Sequence, residues 1–187
     1  TSGGSVYVPD AGGFLHRLHA ATGEPVWSIR LSDLFGQPSL VIASRTSPVV
    51  VGNKVILGTV RVCTGPRAEQ VCPFPWAVVA LEKNTGALLW STQVDDHPYA
   101  TLIGSPVAFG NRLFIGVSSN EETPASFPDF PCCSFRRSML GPGVQNGQIL
   151  WRTRTVPPGY AGGAIWSSTP VVDPVRNKIV KAAASYL

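Results

Sequence analysis

Three segments of this chain end alike. Ala20-Ala21-Thr22-Gly23-Glu24-Pro25-Val26-Trp27, Glu82-Lys83-Asn84-Thr85-Gly86-Ala87-Leu88-Leu89-Trp90 and Val144-Gln145-Asn146-Gly147-Gln148-Ile149-Leu150-Trp151 each put a glycine four residues before a tryptophan. Successive copies lie roughly 60 residues apart, a spacing that marks stacked supersecondary units. A second string interleaves with the first: Ser47-Pro48-Val49-Val50-Val51-Gly52-Asn53-Lys54-Val55-Ile56-Leu57-Gly58 returns as Ser105-Pro106 through Gly116 and again as Thr169-Pro170 through Val180. A unit that repeats in this way buries its apolar face against its neighbour, so the repeat decides the fold before any single residue does.

Within a unit the pattern is strand and tight turn. Gly52-Asn53 and Gly110-Asn111 separate two apolar runs by two residues that tolerate positive φ, the strongest local hairpin signal. Asn84-Thr85-Gly86 precedes another apolar run in the same manner, and a tryptophan at one fixed place per unit reads as a packing anchor between units. Apolar residues make up 44% of the chain, and glycine and proline number 19 and 17, a composition of many short strands. Radially stacked strands of this kind are the β-propeller pattern. The expected architecture is all-β, about three propeller blades, with units over residues 1–31, 44–94 and 103–155 and a partial unit over 166–187. Insertions at 61–75 and 121–131 lengthen the units. Three units fall short of the four to eight blades of a closed ring, and the chain opens directly on a strand-like Ser5-Val6-Tyr7-Val8, so a fragment with an internal start is expected.

Charge narrows the function. The net charge is +4, charged residues are only 14%, and the basic residues are scattered apart from Arg136-Arg137. A nucleic-acid partner needs a basic stripe, so none is expected. No run approaches the ~18 apolar residues of a membrane span. Phosphate-loop, dinucleotide and nucleophile-elbow motifs are lacking. His16, His19 and His97 form no ligand constellation, and Asp95-Asp96-His97 reads as a turn. Cys63 and Cys72, with Cys132-Cys133, lack zinc-site spacing. Four cysteines allow three pairings; free thiols and other pairings stay open.

The Ala20-to-Trp27 signature resembles the tryptophan-docking repeat of the pyrroloquinoline quinone (PQQ) dehydrogenases, eight-bladed propellers that oxidise alcohols. Gly116-Val117-Ser118-Ser119-Asn120-Glu121-Glu122, Phe130-Pro131-Cys132-Cys133-Ser134-Phe135-Arg136 and Gly159-Tyr160-Ala161-Gly162-Gly163-Ala164-Ile165-Trp166-Ser167-Ser168-Thr169-Pro170 are similar to the polyvinyl alcohol dehydrogenase-like branch. The resemblance implies PQQ and Ca²⁺ as cofactors and a small-molecule or polymeric alcohol as substrate. It further implies a cytochrome or quinone electron acceptor, in a periplasmic or secreted setting. By residue, it assigns Glu121 to the metal. Arg45, Ser118 and Trp166 fall to the cofactor, the arginine through its guanidinium fork and the tryptophan by stacking. Cys132 and Cys133 match a pair that in the family forms a vicinal disulfide capping PQQ, although in well-known relatives the pair precedes the arginine-bearing blade.

The match is incomplete. An Asn that would ligate the metal falls on Ser185, Ala164 and Ile103 stand where threonines are usual, and Gly141-Pro142-Gly143 displaces an expected apolar strand. The family's catalytic Asp would lie beyond Leu187, so the chain alone is expected to lack a complete active site. Two functions follow: part of a PQQ-dependent alcohol oxidoreductase, or a cofactor-free propeller acting as a binding or assembly scaffold.

Overall fold

The computed structural model describes residues 1–62, 77–163 and 165–181; Cys63, Cys72, Ala164 and Ser185 lie outside the described residues. Antiparallel strands account for nearly all of its regular structure. The first sheet joins β1 (Ser5–Pro9), β2 (Phe14–His19) and β3 (Pro25–Arg30) in that order. A single 3₁₀ turn at Asp33–Phe35 follows. The chain then supplies β4 (Val41–Ala43), β5 (Val49–Val51), β6 (Lys54–Gly58), β7 (Val60–Val62), β8 (Ala77–Glu82) and β9 (Leu88–Gln93). Of these, β5-β6-β8-β9 form a meander, and β4 pairs with β7. The third group is β10 (Ala100–Thr101), β11 (Val107–Phe109), β12 (Arg112–Ser119), β13 (Ser138–Pro142) and β14 (Ile149–Arg154), with a four-residue helix α1 (Glu122–Ala125) after β12. β10 and β11 both pair with β12, which continues to β13 and β14. A hairpin of β15 (Val171–Asp173) and β16 (Lys178–Val180) starts a fourth group.

Period-two patterning explains how these sheets stack. In β8 the alternation sends Ala77, Val79 and Leu81 to one side and Val78 and Ala80 to the other. The first set packs with Tyr7, Leu15, Val55 and Leu57 in the core between the first two sheets. The second packs with Ile56, Leu113, Ile115 and Leu140 in the core between the second and third. The central strands β6 and β8 of the middle sheet are therefore apolar on both faces, which explains why they lack a polar side.

The repeated tryptophans do equivalent work at the sheet junctions. Trp27 donates its indole N–H to the carbonyl of Lys83 at 3.3 Å, and Trp90 donates to Val144 at 3.1 Å. Lys83 and Val144 each stand three residues before the turn glycine of the next unit. Gly86 and Gly147 adopt φ of +76° and +71°, and each turn closes onto the preceding tryptophan. Trp151 packs beside Phe114, ring centroids 6.1 Å apart.

Glycine is thus required twice over at the docked turns, for its backbone and for its missing side chain. A Cβ on Gly147 would run into the Trp90 ring and the Thr92 hydroxyl, whereas Gly23, at φ +75°, has nothing within 4 Å. Gly23→Ala is expected to lose about 1 kcal/mol from backbone strain alone. Gly147→Ala should lose at least about 2 kcal/mol more, because the Trp90 docking contact is also displaced. Urea denaturation of the two variants checks this; equal losses would contradict the docking argument.

The strand expected to be displaced at Gly141-Pro142-Gly143 is present. β13 runs through Pro142, with a register shift between Leu140 and Pro142. Pro142 stays in register with Ile149, beyond an irregularity of the kind at which strand prolines are found. Gly141 leaves room for the Trp151 ring, which a side chain at that place would strike.

Candidate functional site

In the second and third units the first strand is broken. β4 stops at Ala43 and β5 resumes at Val49; β10 stops at Thr101 and β11 resumes at Val107. The breaks carry Ser47-Pro48 and Ser105-Pro106, and with Thr169 and Thr1 these residues line one shared cavity of about 410 Å³. The Ser47 N–H donates to Ser105 Oγ at 2.8 Å. Equivalent positions from three units therefore converge, as radial repetition requires.

Arg45 sits in the first break and is exposed. Its counterpart in the second break is Ile103. Trp166, half-buried, lies in the corresponding stretch before Thr169-Pro170. Ser118 is fully buried, and its hydroxyl donates to the carbonyl of Ile165 at 2.9 Å. It thereby fixes the backbone immediately before Trp166.

Glu121 is only 2% exposed, and its carboxylate is filled by donors. Oε1 accepts from the Ser134 N–H at 2.8 Å, from Ser134 Oγ at 3.2 Å and from the Phe135 N–H at 3.2 Å. Oε2 accepts from Ser119 Oγ at 3.0 Å and from the Phe135 N–H at 3.1 Å. A buried carboxylate needs such partners. Here they come from the two residues that follow Cys132-Cys133, whose sulfurs are bonded to each other across a cis peptide. Both cysteines are exposed, while Phe135 is buried in the core between the second and third sheets.

His97 completes this anchorage. Its Nδ1 accepts from the Tyr99 N–H at 3.2 Å, so the neutral ring carries its proton on Nε2 and donates to Ser134 Oγ at 3.0 Å. With that tautomer the imidazole cannot take the Ser134 proton, so Ser134, His97 and Glu121 are not a nucleophile–base–acid relay. The ring also lies 4.9 Å from that of Phe135. Just before it, buried Asp95 pairs with Arg152 Nη1 at 2.7 Å and Arg154 Nη1 at 3.4 Å, and accepts the His97 N–H at 3.1 Å. Asp95 and Asp96 are irregular rather than a turn, which falls at Pro98-Tyr99, and the two arginine partners lie more than 50 residues away in sequence.

The disulfide segment is tied in turn to the irregular stretch that precedes Trp166. The Gly162 N–H donates to the Phe135 carbonyl at 3.0 Å, and the Arg137 N–H to the Gly162 carbonyl at 3.4 Å. Glu121, the disulfide segment and Ser118 are therefore linked by hydrogen bonds to Gly162 and Ile165, which precede Trp166. Among the described residues no hydrogen bond joins Arg45 to them. The Nε atoms of Arg136 and Arg137 are buried there without partners. In the sequence these arginines stand out only as a basic pair. Among the described residues no group of three or more His, Cys, Asp or Glu could hold a metal ion. His16, instead of ligating anything, bonds Asp10 at 3.1 Å and Ser28 at 2.7 Å.

A chain of antiparallel sheets joined by tryptophan docking, with a shared inner cavity, defines a repeat β-propeller. Residues 1–185 match the family PQQ_2, described as outer membrane protein assembly factor BamB, and the chain belongs to that family. It is 29% identical over 201 residues to a polyvinylalcohol dehydrogenase of a Pseudomonas species, covering 98% of this chain and 28% of the relative. A polyvinylalcohol dehydrogenase of Sphingopyxis sp. (strain 113P3) is likewise 29% identical over 195 residues, covering 95% and 27%. The chain thus spans little more than a quarter of the curated relatives it matches. Among solved structures, the quinohemoprotein alcohol dehydrogenase from Comamonas testosteroni superposes with a TM-score of 0.67 at 16% identity, over 96% of this chain and 28% of that one. A second quinohemoprotein alcohol dehydrogenase, from Pseudomonas putida HK5, gives 0.67 at 18% identity, over 96% and 27%. These likenesses carry the propeller fold.

Proposed function

We propose that the intact protein is a quinoprotein oxidoreductase that oxidises alcohol hydroxyls, of small molecules or of a polymer such as polyvinyl alcohol, outside the cytoplasm. Electrons would pass to a cytochrome or quinone. The observation that carries this reading is the likeness to two polyvinylalcohol dehydrogenases along nearly the whole chain. It is supported by the hydrogen bonds that tie the segment of the vicinal cysteines to Gly162, in the stretch that leads to Trp166.

The residues suit PQQ as an anion. Arg137, with an unpartnered Nε, follows the disulfide segment, Arg136 already donates through Nη2 to the Val156 carbonyl at 2.8 Å, and exposed Arg45 offers a further fork. Trp166 offers a flat face, held through Ser118. When bound, the quinone would supply the two-electron oxidant, while these side chains hold and orient it. Ca²⁺ does not fit Glu121 as it stands. A hard cation needs free anionic oxygens, and this carboxylate is surrounded by N–H and O–H donors. Glu121 is instead a positioning residue for the disulfide segment.

That internal use of Glu121 is what favours the second reading, a cofactor-free propeller serving as a binding or assembly scaffold. PQQ titration into the intact protein, followed by tryptophan fluorescence with and without Ca²⁺, separates the two. The quinoprotein reading expects saturable quenching that Arg137→Ala weakens about tenfold, the effect of one charge-assisted contact. An unquenched wild-type protein under both conditions would leave the scaffold.

A further inference from the structure

In each unit the fourth residue after the turn asparagine points between sheets. After Asn53 and Asn111 that residue is Leu57 and Ile115, both fully buried. After Asn177 it is Lys181. A lysine thus occupies a place that the fold twice fills with an aliphatic core residue. Its Nζ is buried and has no hydrogen-bond partner among the described residues. It lines a cavity of about 360 Å³ between the third sheet and β16, with Met139, Trp151, Thr153, Ile165 and Ile179 among the walls.

An unpaired ammonium is costly in such surroundings, and the neutral amine is the form they favour. The titratable groups of the neighbouring strands face elsewhere: Arg152 and Arg154 of β14 turn to Asp95, and Arg112 of β12 and Lys178 of β16 are exposed. We propose that Lys181 is a reactive amine whose apolar cavity captures small carbonyl compounds as an imine. The amine nitrogen bonds the carbonyl carbon, and the resulting carbinolamine loses water. That water carries off the carbonyl oxygen and both amine hydrogens, leaving a C=N bond. No oxidant or metal is needed, and the inference does not rest on PQQ. Trp151, Met139 and the isoleucines select an apolar aldehyde or ketone, and the Thr153 hydroxyl is the polar group at hand.

Burial lowers the Lys181 pKa from 10.5 to about 8. At pH 7 about a tenth of such an amine is neutral, against about one part in three thousand for an ordinary lysine. The sign of the linked stability follows. Between pH 8 and 10.5 the unfolded chain holds a proton that the folded chain has released, so stability rises with pH across that window and levels off at its lower value below it.

The test treats the intact protein with benzaldehyde and cyanoborohydride, then quantifies modified lysines by peptide mass spectrometry. Lys181 should be alkylated at least about tenfold faster than exposed Lys178 at pH 7, with a half-maximal rate near pH 8. Labelling of Lys181 no faster than Lys178 would overturn the proposal. Lys181→Met matches the apolar residues at the two equivalent positions, so it should fold, lose this labelling and lose the rise in stability above pH 8. A variant less stable than the parent at pH 7, with Lys181 unlabelled in the parent, would instead make the lysine a structural ion-pair partner and refute the reactive-amine reading.

Discussion

Trp90→Ala is expected to lower the unfolding free energy by about 2–4 kcal/mol, a loss near the lower end of aromatic truncations because the ring is only half-buried. Three contributions go together in this variant. The indole N–H leaves the Val144 carbonyl, the ring leaves the face of Gly147, and part of the core between the second and third sheets opens. Stability in a repeat stack is carried by nearest-neighbour interfaces, so the loss should uncouple those two sheets rather than weaken every strand equally. Trp27→Ala should behave alike at the preceding junction, since it makes the equivalent bond to Lys83. Urea melts combined with amide exchange provide the check: slow exchange retained in β1–β3 but lost in β13 and β14 is the expected signature for Trp90→Ala. No change in midpoint would show the tryptophan to be ornamental.

Glu121→Gln should cost about 2–4 kcal/mol with no metal or cofactor present, because it places an amide donor among donors and leaves buried N–H groups unmet. The parent carboxylate accepts from Ser119, Ser134 and Phe135, and a glutamine oxygen can serve only one side of that set. Exchange of the Ser134 and Phe135 amides should accelerate first, followed by exposure of Phe135, and limited proteolysis should cut near Cys132-Cys133. A residue whose sole duty is to bind Ca²⁺ predicts the reverse: unchanged stability in chelator, and a difference only when the metal is added. The same two samples, with and without Ca²⁺, discriminate these outcomes.

Much of this architecture was legible because the repeat acts locally. Gly52-Asn53 and Gly110-Asn111 give hairpins wherever they stand, since two residues able to take positive φ turn the chain by themselves. Gly86 and Gly147 likewise advertised their turns, and the apolar runs between them could only be strands buried on one or both faces. The short helix Glu122–Ala125 carried no comparable signal, being a single turn inside an insertion.

Side-chain roles were another matter. Glu121 has the right place in a family motif, yet whether a carboxylate meets a cation or a ring of N–H donors depends on where Ser134 and Phe135 come to rest, across an inserted segment. Asp95 looked like turn chemistry until Arg152 and Arg154, five strands further on in β14, folded over it. Lys181 carries no signal of its own in the sequence, and only its place between packed sheets, matching Leu57 and Ile115, makes it a buried amine. The sequence by itself determined the strands, the turns and the stacking order, because those rest on backbone geometry and hydrophobic period. Which polar atoms are filled and which stand unpartnered was decided by tertiary structure alone, since burial and long-range hydrogen bonding exist only once the sheets have closed on one another.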